Sequence, residues 1–207
     1  MLGFPLHKHN ILFLLPLFGT ICFCICFYVS TLYYPGGSQF THNSIGYSWE
    51  HNYWCNLLYK NALNGKRNDA RPIAILAMIF LNVSIGSFWY IFPKKVKLTL
   101  NKRHIIQISG VSSMVIATFI SSKLHDLIIF LSSVLGMVAL IGTLYGLYRL
   151  KWSKLLYYGI FNSFLIFCNF ILYFETHLIY YLPILQKITF LLFLVWISVI
   201  TYKMYQK

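Results

Sequence analysis

"LIIFLSSVLGMVALIGTLYGLY", residues 127–148, runs for 22 positions without a charged side chain. As a helix it would extend about 33 Å, enough to cross a hydrocarbon core of about 30 Å. Working outward from it, five further apolar stretches have comparable length, at roughly 11–33, 72–92, 104–121, 155–174 and 180–202. The whole chain of 207 residues is 58% hydrophobic, 19% aromatic and only 10% charged, whereas a soluble domain is about one quarter charged. The runs are continuous and do not alternate with period two, which excludes a transmembrane β-barrel. The reading is an all-α, polytopic bundle of six transmembrane helices, a single domain over 1–207, with an outer loop at 34–71.

Lys8 before the first apolar run imitates a secretory leader, but the run is too long and "STLYYPGG" offers no small-x-small cleavage site. Cys22, Cys24 and Cys26 do not form a lipoprotein acceptor either, because Ile21 stands where a small residue is needed. The segment is expected to be an uncleaved helix. Orientation follows from the basic residues at span ends. Lys8, Lys94, Lys95, Lys97, Lys102, Arg103, Arg149, Lys151, Lys154, Lys203 and Lys207 share one side, against Lys60, Lys66, Arg67, Arg71, Lys123 and Lys187 on the other. Both termini are therefore expected in the cytoplasm, in a bacterial cytoplasmic membrane. The net charge of +13 is scattered over short loops, which fits anionic lipid heads as partners and does not make a nucleic-acid groove.

Glu50, Asp69, Asp126 and Glu175, the only acidic residues, all fall on the outer side, as do His42, His51, His125 and His177. Three separate loops could thus converge on one outward-facing polar pocket. In the long loop, Tyr34-Pro35-Gly36-Gly37 has the residues of a type II turn. Trp49, Tyr53, Trp54, Leu57 and Leu58 share one face at helical spacing, predicting an interfacial helix that ends near Asn64-Gly65. Such a helix either floats as an aromatic belt or lids a site, with Trp49 and Trp54 at its rim.

Histidines with carboxylates are the ligand set for zinc or a similar divalent ion with one position open to activate water. His42, His51, His125 and His177 are the candidate ligands, and Glu50, His51, His125, Asp126, Glu175 and His177 the candidate catalytic groups. No His-Glu-x-x-His or Cys-x-x-Cys spacing supports them, and Glu175 and His177 point to different sides of a helix. Asp126 also suits the start of a helix by charge alone. Cys22, Cys24, Cys26 and Cys168 lie in spans, leaving Cys55 as the outer thiol without an obvious partner.

"YYPGG", "GYSWEHNYWCNLL", the His125-Asp126 pair opening the fourth span and "LQKITFLLFLVW" in the last resemble a bacterial six-helix membrane family of unknown function, itself distantly similar to the Frag/DRAM/Sfk membrane proteins. The resemblance covers most of the chain and implies the six-helix topology and an association with lipid. Many members have a Ser-Asp-Leu-Gly element after the first span. Here the comparable place reads Ser44-Ile45-Gly46, without the acid.

Inside the spans, Asn162 and Asn169 lie seven apart on one face and suit interhelical hydrogen bonding. Gly142-x-x-x-Gly146 and Ser132-x-x-x-Gly136 suit close helix packing. Lys187 lies eight residues beyond Ile179, about 12 Å into the last span. It either pairs with Asp126 or Glu175, forming a ligand-binding cation under the outer cluster, or snorkels to the headgroups. Two functions follow from these features. One is a non-enzymatic protein that binds or distributes a lipid or other amphiphile. The other is a membrane-embedded, possibly metal-dependent hydrolase or transferase using the outer His/acid cluster.

Overall fold

A computed structural model describes residues 11–175 and 177–206; Lys8 and Lys207, counted above for orientation, lie outside them. Six α-helices make up the bundle: α1 (Leu15–Leu32), α2 (Arg71–Lys95), α3 (Leu100–Ala117), α4 (His125–Arg149), α5 (Ser153–Phe174) and α6 (Leu182–Tyr205). Each of α1, α2 and α6 carries a proline in its first turn, where the missing N–H costs no intrahelical bond. Some end charges suit the helix dipoles, with Asp126 opening α4 and Lys94, Lys95, Arg149 and Lys203 in last turns, whereas Arg71, Lys102, Arg103 and Lys154 sit in first turns.

Among the described residues, five helical segments are long and apolar enough to cross a membrane, the α6 one starting at Ile179. The exception is α3, which was expected over 104–121. It instead starts at Leu100 and stops at Ala117, carrying Lys102, Arg103, His104 and Gln107 in its first half. The chain from Thr118 to Leu124 is turns, where Thr118, Phe119 and Ile120 close tight bonds onto the preceding carbonyls.

The bundle interior is an apolar core around Phe23, Phe88, Phe92 and Trp196 with small and polar residues set into it, and the outside is greasy as well, as a lipid solvent allows. Phe130, Ile141, Tyr157 and Phe167 are exposed, whereas Ser30, Ser84, Thr143, Asn162 and Thr201 are buried. Helix α1 packs on α2, α2 on α3 and α3 on α4, while α6 packs on α5 and closes back onto α1 and α2. Small residues set these approaches. A Cβ on Gly142 would stand 2.3 Å from Ile106, and one on Gly146 2.7 Å from Phe92, so the Gly142/Gly146 pair does seat α4 on α3 and α2. The Ser113 hydroxyl donates to the Ser132 carbonyl at 2.7 Å between α3 and α4. Asn169 Nδ2 donates to Thr189 Oγ1 at 2.7 Å between α5 and α6, as its spacing suggests. Asn162 is buried with neither amide atom partnered.

Residues 33–70 fold into a cap over one end of the bundle, and this is where the structure departs most from expectation. From Trp49 to His51 the chain makes turns, and only Trp54–Leu58 is helical, as a short 3-10 segment. The interfacial helix is not formed because asparagine side chains take the backbone groups a helix would use. Asn52 accepts from Ser48 N–H and donates to the Gly37 carbonyl, both at 2.8 Å. Asn56 accepts from Tyr53 N–H at 2.7 Å. Asn68 Nδ2 faces the carbonyls of Asn56, Leu57 and Tyr59 at 2.9–3.2 Å, while its Oδ1 accepts from Ala70 N–H at the start of α2. All three asparagines are buried, so the loop's polarity is its internal scaffold.

The Pro-Gly pair likewise does not close a type II turn. Gly36 pairs with Ile45 in an isolated antiparallel bridge, and Gly37 N–H donates to Ser44 O at 2.8 Å. Both glycines have positive φ, and a Cβ would meet Ser44 O at 2.1 Å or Asn64 N at 2.3 Å. They are needed for close approach of three loop segments.

Candidate functional site

The long loop touches each of the other two cap-side segments, at separate places. The Tyr180 ring, between α5 and α6, packs against Phe40, and its hydroxyl hydrogen-bonds His51 Nε2 at 2.7 Å. On the other side of the cap the Tyr59 ring lies 6.1 Å from the His125 ring at the start of α4. Trp54 anchors the cap from within. Its ring stacks on Phe27 of α1 at 4.3 Å and meets the edge of Phe190 of α6 at 5.0 Å. Trp54 is therefore a packing element, while exposed Trp49 remains at the rim beside Tyr28 and Tyr47.

Lys187 takes neither of its two expected roles. It is 6% exposed, which excludes snorkelling, and it has no acidic partner. The ion pairs among the described residues are Arg67–Asp69 and His125–Asp126. Its ammonium instead donates to the Asn52 carbonyl of the cap and, at 2.9 Å, to the Pro183 carbonyl of its own helix. A cation hydrogen-bonded to two carbonyl dipoles thus fastens cap to bundle.

The expected histidine and acid constellation separates into unlike parts. Glu50, Glu175 and His177 are exposed, and His42 Nδ1 contacts the Leu63 carbonyl at 3.0 Å. His51 is held by Ser48 and Tyr180. Among the described residues, no three His, Cys, Asp or Glu side chains stand close enough to share a metal ion. His125 has the richest surroundings. Its Nδ1 lies 2.9 Å from Asp126 Oδ1, and its Nε2 is buried without a hydrogen-bond partner. Cys55 Sγ is 3.8 Å from Tyr59 Oη. Burial pushes the phenols of Tyr47 and Tyr59 up, so both hydroxyls stay protonated and available as donors at neutral pH.

Below the cap lies a chamber of about 960 Å³. Its walls are the cap-side halves of α4 (Phe130, Val134, Met137), α5 (Phe167, Phe170, Tyr173) and α6 (Leu182, Phe190, Phe193), with Trp89 of α2 and Met114 of α3 behind. Many wall residues are exposed on the bundle's flank, which opens the chamber sideways between α4 and α5. Asn169 Oδ1 and Gln186 Oε1 are buried in this wall without a donor. Sequence reading missed the chamber, because its existence depends on how far apart two helices stand. It also missed the contact of the Cys55 thiol with Tyr59 Oη, 3.8 Å away, for which their i, i+4 spacing was the available signal. No family model, curated protein or solved structure matches the chain, so the site is read from its own geometry alone.

Proposed function

We propose that this protein is a six-helix integral membrane protein that binds an amphiphile, its apolar tail in the flank chamber and its polar head beneath the cap. The chamber carries this reading. An apolar recess of about 960 Å³, entered from the side rather than from water, suits a ligand already dissolved in the bilayer. The two unpartnered amide oxygens of Asn169 and Gln186 offer acceptors to a hydroxyl or amide of such a ligand. In this arrangement α3 is the sixth span. The excess of basic residues at the opposite span ends supports a cap away from the cytoplasm with both termini in it. The resemblance to the lipid-associated six-helix family points the same way.

A diazirine-tagged fatty-acyl lipid in nanodiscs tests the reading. Crosslinks should concentrate on 130–141 and 163–173 over other exposed faces such as Ile108 and Val199, and Ser133→Trp, which fills the chamber, should reduce them at least tenfold without lowering the unfolding midpoint. Label spread evenly over all exposed faces, or unaffected by Ser133→Trp, would refute it.

A further inference from the structure

Between α2 and α3 lies a second recess, a groove of about 480 Å³ that is separate from the chamber except at Met114. Val83 and Val115 line it and are exposed, so it opens on the flank toward lipid. Along α2 it runs from Ile79 to Tyr90, about 16 Å, or half of a hydrocarbon core of about 30 Å. Two contacts fix the register of these antiparallel helices. Asn82 Nδ2 donates to Thr118 Oγ1 at 3.3 Å, and Gln107 Nε2 donates to the Tyr90 carbonyl at 2.7 Å. Lys94 and Arg103 each lie one turn beyond the second contact, on facing helices, at the end of the groove away from the cap.

That end has cations and no carboxylate side chain to meet them. Lys94 Nζ stands 3.4 Å from the centroid of the Tyr90 ring, which holds the ammonium at the mouth of the groove. Arg103 Nε is buried without an acceptor, and the ion pairs among the described residues involve neither Lys94 nor Arg103. All four acids, Glu50, Asp69, Asp126 and Glu175, lie at the cap end. A buried guanidinium donor left unpaired is costly until an acceptor arrives, and its planar fork suits phosphate oxygens.

We propose that the α2–α3 groove holds one acyl chain of an anionic phospholipid from the leaflet away from the cap, with the phosphate between Lys94 and Arg103. The site is separate from the chamber and does not rest on the amphiphile reading. The groove has the depth of one leaflet, so a chain lying in it brings its own headgroup to the two cations. A soluble phosphate would leave the apolar groove empty, which is why the occupant is a lipid. The same lipid suits α3, the least apolar of the six helices in its first half, by supplying an anion to Arg103 and covering the helix flank.

Purified protein in nanodiscs of equal parts phosphatidylcholine and phosphatidylglycerol tests this, with a diazirine acyl tag on one lipid at a time and the label mapped by peptide mass. At 79–90 and 111–118, phosphatidylglycerol should label about 10–30-fold more than phosphatidylcholine, because two cations favour the anionic head. At Val199 on α6, toward the same end of the bundle, the preference should be much smaller. Lys94→Gln and Arg103→Gln should each lower the groove preference about fivefold, and the double variant should remove it, with the unfolding midpoint unchanged. Lys94→Gln carries the test alone if Arg103→Gln does not fold. Val83→Trp, which fills the groove, should remove the label of both lipids there, and Ser133→Trp should not. Equal preference at the groove and at Val199, or a preference indifferent to both cations, would leave ordinary boundary lipid and overturn the proposal. Displacement of the label by inorganic phosphate or by the water-soluble headgroup glycerophosphoglycerol would show a soluble-anion site and overturn it as well. Chamber labelling is read from 130–141 and 163–173 in the same digests, so failure of the amphiphile reading and failure of this one are separate results.

Discussion

Lys187→Met keeps the long stem and removes the charge at the junction between cap and bundle. The ammonium donates to Asn52 O and Pro183 O. Hydrogen bonds from a charged donor contribute about 1.5–3 kcal/mol each, so their gross loss is about 3–6 kcal/mol. Against this stands the desolvation of a buried cation, which costs several kcal/mol and disappears with the charge. Little is stranded by the change, since Asn52 O still accepts from the Tyr47 hydroxyl at 3.3 Å. The net effect on global unfolding should therefore be small, within about 2 kcal/mol of wild type. The cap itself should loosen. An opening free energy lower by about 1–2 kcal/mol means amide exchange about 5–30-fold faster across residues 47–59. Exchange mass spectrometry in nanodiscs and unfolding in mixed micelles measure the two quantities. Because no acid faces Lys187, the change should be additive with Asp126→Asn and with Glu175→Gln to within about 0.5 kcal/mol. A coupling above about 1 kcal/mol with either acid, or unchanged exchange in the cap, would refute the account of Lys187 as a dipole-held fastener.

Three further outcomes test other parts of the structure. Gly37→Ala places a Cβ 2.3 Å from Asn64 N at a φ of +83°, so it should cost about 1–3 kcal/mol and abolish protection of the cap in exchange while α4 and α5 stay protected. Burial raises the Tyr47 and Tyr59 phenols above their unfolded value; the folded cap then holds protons the unfolded chain has lost, so its stability is full below about pH 10 and falls as pH rises beyond, which absorbance of tyrosinate with parallel unfolding curves should show. Ile45→Cys, at a position 97% exposed on the cap, should react with an impermeant maleimide from outside intact cells once the native cysteines are replaced, and labelling only from the cytoplasmic side would reverse the proposed orientation.

The sequence by itself determined the helices of this protein, because in a lipid solvent a backbone must satisfy its hydrogen bonds within the segment, and an apolar run such as 127–148 has one way to do so. The same locality made the Gly142/Gly146 packing face and the Asn169 bond legible, since both follow from helical spacing. Tertiary structure decided what happens where backbone bonding is not local. Helical spacing from Trp49 to Leu58 was real, yet the side chains of Asn52, Asn56 and Asn68 outcompeted it by bonding carbonyls and N–H groups elsewhere in the loop. Lys187 found a carbonyl 135 positions away rather than an acid, and His51 a tyrosine 129 positions away. Tyr59 met His125 through the docking of the cap on α4, and the chamber arose from the spacing of α4 and α5. Each of these is a distance between segments, set by how side chains pack around the helices, and no local pattern of residues encodes it.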